Sequence, residues 1–160
     1  MAESTGGHYD QAYFDWQSSI GEFGGWANQS KFEGYINQDD VVLDFGCGGG
    51  YLLKHLNCAR KVGVEINPTA REAAQDNGIE AHANSDEIPD DSVDVIISNH
   101  ALEHTFQPLD ELATLRRKLK PGGQIVLVVP CEPVSDSYSG GGKDCHLYSW
   151  RSEEHTSEIQ

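Results

Sequence analysis

Short apolar runs alternate with amphipathic stretches through the middle of the chain. Val41-Val42-Leu43-Asp44-Phe45 has strand length and enters a glycine-rich turn, and Tyr51 to Leu56 follows with helical character. Lys61 to Ile66 reads as a second strand. Asn67-Pro68 then opens a helix, with Asn as N-cap and Pro at the first helical position, where a missing N–H costs nothing. That helix passes Ala70, Ala73 and Ala74 and stops at Asn77-Gly78, residues suited to a left-handed helix end. Ile79 to Ala83 is a weak third strand and Val93 to Ser98 a fourth. Pro108 to Leu119 carries Leu109, Leu112, Leu115 and Leu119 on one predicted face, and Pro121-Gly122-Gly123 breaks it. Gln124 to Pro130 is almost wholly apolar, so this fifth strand is expected to be buried on both faces.

Strands separated by helices pair in parallel through right-handed crossovers, so the fold class is α/β with a doubly wound, mostly parallel sheet. Ligands of such sheets bind beyond the carboxyl ends of the strands, where the strand order reverses. The informative residues are therefore those after strands one, two and four. Ahead of the sheet, residues 1–36 form an aromatic-rich segment in which Tyr9, Tyr13, Trp16 and Ile20 share one helical face. That face is expected either to cover the sheet or to close over a ligand. Residues 37–150 are expected to form the ligand-binding domain.

The loop after strand one is Asp44-Phe45-Gly46-Cys47-Gly48-Gly49-Gly50. Glycines at 46, 48 and 50 allow a tight turn and a close approach of ligand to backbone. A dinucleotide site requires GxGxxG, and every reading frame here fails it: from Gly46 the sixth residue is Tyr51, and from Gly48 it is Leu53. Charge agrees, because a carboxylate at Asp44, read as the mouth of the site, repels a pyrophosphate and suits a ligand bearing an ammonium and a sulfonium. Glu65 ends strand two, where a carboxylate can accept hydrogen bonds from both hydroxyls of a ribose.

Residues 41–130 resemble the class I S-adenosylmethionine (SAM) methyltransferases, in particular their small-molecule group with an LEH tripeptide after strand four. The matching segments are VVLDFGCGGG, VGVEIN, SDEIPDDSVDVIISNHALEH and LKPGGQIVLVVP, in that order. The resemblance implies a Rossmann-like sheet of which five strands are present and the C-terminal strands missing. It implies SAM as cofactor and a small-molecule O, N or C nucleophile as methyl acceptor. It places Gly46, Gly48 and Gly50 along the methionine end, with Asp44 orienting it, Glu65 on the ribose and Ile66 on the adenine. Asn84 and Ser85 stand where the family often has Asp-Ala; a side-chain contact from Asn84 to adenine is thereby in doubt, while a backbone contact near Ser85 survives. Asn99 and His100 line the cofactor from strand four, and Tyr13, with Tyr9, resembles the aromatic pair that closes over it.

Composition narrows the rivals. Net charge is −15, with only 11 Lys and Arg against 26 Asp and Glu, which argues against a nucleic-acid partner. No apolar segment reaches the ~18 residues of a membrane span. The four cysteines are scattered and MAESTGGHYD lacks secretory features, so a reduced, cytoplasmic protein is expected. His100-Ala101-Leu102-Glu103-His104 matches the HxxEH of certain zinc proteases, but that chemistry needs both His on one helix and a further carboxylate. The motif begins directly after a strand, so no metal is assigned. No catalytic base is assigned either; His100 and His104 are the nearest candidates. A non-catalytic SAM-binding module and a nucleotide-cofactor oxidoreductase are the alternative readings. Cys131, Cys145 and His146 flank a Gly/Ser-rich loop at 135–143 without ligand-like spacing. Residues 151–160 break the apolar pattern and resemble the translation of a sequencing-library adapter, so they are expected to be foreign to the protein.

Overall fold

The computed structural model describes residues 21–131, 147, 148 and 150. Tyr9, Tyr13, Trp16, Ile20, the 135–143 loop, Cys145, His146 and the 151–160 tail lie outside the described residues.

Five strands form one sheet: β1 (Val41–Phe45), β2 (Arg60–Val64), β3 (Glu80–His82), β4 (Val93–Asn99) and β5 (Leu119–Val128), in the spatial order β3-β2-β1-β4-β5. Every pairing is parallel. The helices between them are α1 (Tyr51–His55), α2 (Pro68–Asp76) and α3 (Pro108–Lys118). β1 lies between β2 and β4, so the chain winds outward in one direction from β1 and then in the other from β4. The crevice where the order reverses opens between the carboxyl ends of β1 and β4.

The two-residue period of a strand divides the core between the faces of the sheet. Val42, Val95 and Ile97 join Leu53, Leu56, Ala74 and Ile79 on the α1/α2 face. Leu43, Val62, Val64 and Ile96 join Ile88, Leu102 and Leu115 on the α3 face. Each fully buried aliphatic side chain contributes about 1.5–3 kcal/mol of transfer free energy. Both faces of the central strands therefore need cover, which is why they carry near-continuous apolar runs. Asn67 caps α2 as expected, its side chain accepting from the N–H groups of Thr69 (2.9 Å) and Ala70 (3.2 Å).

Three expectations are corrected. Leu109 is 78% exposed, so the buried face of α3 is built on Leu112 and Leu115 and starts a turn later than its leucine spacing suggests. Pro121-Gly122-Gly123 does not separate α3 from the last strand: β5 already begins at Leu119 and carries these residues as a bulge. Val93 pairs with Leu119 and Val95 with Gln124, so the excess residues of β5 are extruded between them. Asp94 fastens the bulge, accepting from Lys120 Nζ (2.7 Å) and from the Val41 N–H (2.8 Å). Finally, β5 is not buried on both faces. Like β3 it is an edge strand among the described residues, and its side chains from Gln124 onward are mostly half-buried.

The described part of the aromatic-rich segment begins at residue 21. Residues 21–28 are helical, yet Phe23 and Trp26 on that helix are 68% and 55% exposed, their rings 5.7 Å apart. The helix meets the sheet domain through its glycines instead: a Cβ on Gly21 would strike the Tyr51 ring, and one on Gly25 would lie 2.5 Å from the Tyr51 carbonyl. Among the described aromatics of this segment, Phe32, fully buried, is the one that enters the core.

Candidate functional site: a glycine cradle at the strand switch

The loop leaving β1 turns sharply at Gly46, whose N–H and that of Cys47 both donate to the Val64 carbonyl at the end of β2. Gly46, Gly48 and Gly50 all have positive φ, as a loop of this curvature demands. Two of them meet their surroundings in opposite ways. A Cβ on Gly50 would lie 2.6 Å from Ile79 and 3.2 Å from Ala74, so this residue lets the loop seat on α2. A Cβ on Gly48 would meet nothing within 4 Å. Gly48 therefore faces open space, the cavity of about 260 Å³ that runs past Gly24, Asn28, Cys47, Tyr51 and Asn99.

Asp44 is buried within the sheet and does not stand exposed at a mouth. It lies in the middle of the sheet, paired in register with Gly63 and Ile97, and is 3% exposed. Its Oδ1 has no hydrogen-bond partner. Burial, and secondarily the charge of Glu65, push its pKa up to about 7. A buried acceptor with no donor is costly and calls for a partner from outside the fold.

Glu65 follows β2 and reaches back across the crevice. Its Oε2 accepts from the Gly48 N–H (2.9 Å) and its Oε1 from the Asn67 N–H (2.7 Å). Burial raises its pKa, opposed by these two N–H groups and by Arg71. Arg71 in turn donates to the Glu65 carbonyl (2.7 Å), holding the turn between β2 and α2. Glu65 thus braces the glycine loop while each carboxylate oxygen keeps acceptor capacity. Ile66, next in the chain, is 65% exposed beside it.

Asn84 spends its side chain locally. It caps the 3₁₀ turn Ser85–Glu87, accepting from the Asp86 N–H (3.1 Å) and donating to Glu87 (2.8 Å), while Ser85 is buried under that turn. Asn99, the last residue of β4, lines the cavity and receives a bond from Lys31 Nζ (3.4 Å). Ala101 packs against Gly46. His100 stands between them with φ +56°, its N–H on the Val128 carbonyl (2.8 Å) and its Nδ1 3.2 Å from Glu103 Oε1. Glu103 and His104 lie in a separate 3₁₀ turn, Leu102–His104, so HxxEH does not occupy one helix. Among the described residues no three His, Cys, Asp or Glu side chains converge as metal ligands would.

The fold brings Gly46, Gly48 and Asn99 to one cavity, ties Glu65 to Gly48, buries Asp44 in the sheet, uses Gly50 for packing, and turns the Asn84 side chain to capping. Sequence reasoning missed Gly24, Asn28 and Tyr51. Their signal was Gly21-x-x-Gly24-Gly25, small residues at helical spacing that let one backbone approach another.

A doubly wound sheet with this cradle defines a family. The methyltransferase domain family matches residues 20–158, and the chain belongs to it. A ribosomal protein L11 methyltransferase of Burkholderia mallei is 35% identical over 101 residues, 58% of this chain and 32% of its own length. This chain thus spans about a third of that curated relative. A methyltransferase solved in complex with the Haloferax volcanii Trm112 methyltransferase activator superposes with a TM-score of 0.65 at 24% identity, over 79% of this chain and 60% of its own. An S-adenosylmethionine-dependent methyltransferase of Mesorhizobium loti does so at 0.52 and 25% identity, over 58% and 48%. No helix among the described residues is long and apolar enough to cross a membrane.

Proposed function

We propose that this domain binds SAM across the carboxyl ends of β1, β2 and β4 and transfers its methyl group to a small-molecule O, N or C nucleophile. The observation that carries the reading is the open Gly48 cradle in the loop after β1, together with the buried, partnerless oxygen of Asp44 within that strand. The cradle admits a ligand against bare backbone, and the buried Asp44 carboxylate wants a donor or a cation. The methionine end of SAM offers both. When bound, the cofactor supplies a methyl group already activated by its sulfonium.

The chain's own residues then do the binding and positioning. Asp44 draws in and orients the cationic end. Glu65, held by the Gly48 and Asn67 N–H groups, accepts from the ribose hydroxyls with its remaining lone pairs. Ile66 covers the adenine, the backbone at Ser85 reads its edge, and Asn99 lines the opposite wall. Catalysis consists mainly of holding acceptor, carbon and sulfur in line away from water. The net charge of −15 favours an acceptor other than a nucleic acid. The likeness to a ribosomal protein methyltransferase favours a second reading, a protein side chain as acceptor, on the same cofactor site.

Isothermal titration with SAM, S-adenosylhomocysteine and NADH tests the cofactor. Both adenosyl ligands should bind and NADH should not. Glu65→Ala should weaken S-adenosylhomocysteine at least about tenfold, since each charge-assisted bond lost is worth about 1.5–3 kcal/mol and about 1.4 kcal/mol is tenfold. Affinity for NADH with none for S-adenosylhomocysteine would overturn the reading.

A further inference from the structure

The cavity beside Gly48 takes Gly24 and Asn28 from the helix of residues 21–28 and Asn99 from the end of β4. Among the described residues no charged side chain lines it. Its discrimination therefore rests on neutral groups, and the fold fixes the direction of two of them, the asparagine amides. A primary amide presents an acceptor at one end and donors at the other, and its neighbours decide which end is left over. Asn28 donates through Nδ2 to the Gly24 carbonyl at 2.8 Å. A carbonyl cannot donate, so this contact leaves the Asn28 oxygen as an acceptor. Asn99 receives Lys31 Nζ on Oδ1 at 3.4 Å. An ammonium cannot accept, so this contact leaves the Asn99 NH2 as a donor.

Lys31 is not itself a lining residue. It ends the 3₁₀ turn Gln29–Lys31 and directly precedes Phe32, whose side chain is fully buried. The buried neighbour pins the backbone at 31, and the ammonium reaches across 68 residues of sequence to the end of β4. The contact is exposed, so its worth to the fold is small. Its effect on the cavity is electrostatic: a positive charge stands next to the lining residue that offers N–H. Asp44 precedes the glycine loop and Glu65 is bonded to it, and both acids repel an anion. The Asn99 end is therefore where a ligand's negative group finds a donor and a nearby cation together.

We infer that Asn99, backed by Lys31, takes the carboxylate of the ligand's amino-acid end and Asn28 Oδ1 takes its ammonium, so that the two amides sort the zwitterion. This rests on the SAM reading above and extends it to the N-terminal segment. Asn28 and Asn99 are binding residues. Lys31 is a positioning residue, which turns the Asn99 amide and adds charge without touching the ligand. Both halves are needed to set the direction of the amino-acid end. An acceptor at Asn28 alone would take the ammonium and leave the carboxylate without a partner beside two acids. A donor at Asn99 alone would take the carboxylate and leave the α-carbon free to turn about it. The ligand class that satisfies both is an α-amino acid, and a ligand without the carboxylate forfeits the Asn99–Lys31 half.

The test is isothermal titration with three ligands that differ only at this end: S-adenosylhomocysteine, its decarboxylated analogue, which keeps the amine, and methylthioadenosine, which has neither charge. The unaltered protein should hold S-adenosylhomocysteine at least about tenfold tighter than the decarboxylated analogue, which lacks the charge-assisted bond to Asn99. Lys31→Met should weaken S-adenosylhomocysteine about fivefold, the scale of one exposed charge interaction, and leave the decarboxylated analogue within about twofold. Lys31→Arg should restore most of that loss, because it keeps the charge and the donors. Asn28→Ala should weaken both amine-bearing ligands alike and leave methylthioadenosine unchanged. Lys31 is exposed, so its variants should melt with the unaltered protein. A merely structural role for Lys31 would weaken all three ligands together. Equal affinity of the unaltered protein for S-adenosylhomocysteine and its decarboxylated analogue, or a Lys31→Met protein that loses both to the same extent, overturns the assignment even if Asn28→Ala fails to fold. Failure of the unaltered protein to bind any of the three would instead overturn the cofactor reading beneath it.

Discussion

Asp44 and the loop glycines illustrate how a single residue type carries different meanings at different depths. Asp44 titrates near pH 7 because it is buried, with Glu65 adding to the effect. A cationic ligand stabilises its ionised form, so the bound pKa is lower than the free one and binding releases a proton. SAM affinity should therefore rise with pH from 5.5 and level off above about 7, and Asp44→Asn should flatten the profile. The free protein should behave in the opposite sense. An acid whose folded pKa lies above its unfolded value loses stability as pH rises through the interval between them, here from about 4 to 7, and Asp44→Asn should remove that decline in a series of thermal melts. Gly48 and Gly50 can be separated in the same way. Gly50→Ala should cost stability by about 1–3 kcal/mol of overpacking against Ile79 and Ala74, on top of its backbone strain. Gly48→Ala should lose only the strain of its φ of +53°, about 1–2 kcal/mol, and still impair S-adenosylhomocysteine binding, because its methyl group points into the cradle. Equal losses of stability in the two variants would contradict this division.

Among the elements, α2 was legible from its ends. Asn67, Pro68 and Asn77-Gly78 each state a backbone requirement within a few residues, and the helix runs Pro68–Asp76. Asn67→Ala should cost about 1 kcal/mol in a denaturant titration, the usual worth of such a cap. Because the Asn67 N–H also holds Glu65, the backbone at this position, unlike the side chain, serves the site. Where elements were misread, the deciding contacts were remote in sequence. Pro121-Gly122-Gly123 reads as a stop, yet Lys120 and Asp94, across the strand pair, turn it into a bulge within β5. Leu109 has the right spacing for the face of α3, but it stands before the point where the helix reaches the sheet.

At the scale of the molecule, the cradle, the Glu65 brace and the Asn99–Ala101 wall come from three strands that meet only when the sheet is assembled. A ligand bridging them should stabilise the whole fold. At a hundred times its dissociation constant, S-adenosylhomocysteine should add about 2.7 kcal/mol to unfolding, and a raised melting temperature with none for NADH would be its signature. The alternation of apolar runs and helix signals determined the order of elements and the parallel sheet, because burial on two faces and short-range caps leave local marks. The glycine loop, the acid before it and the acid after β2 pointed to the proposed class of ligand for a similar reason: each backbone or charge requirement is written at its own position. Depth and partnership had no such mark. Only the tertiary structure decided that Asp44 is buried in the sheet, that Glu65 is spent partly on bracing Gly48, that Asn84 caps its own turn, and that glycines bring residues 21–28 to the cavity. Each of these depends on which distant backbone packs alongside, and a linear pattern of apolar and polar residues does not specify its neighbour.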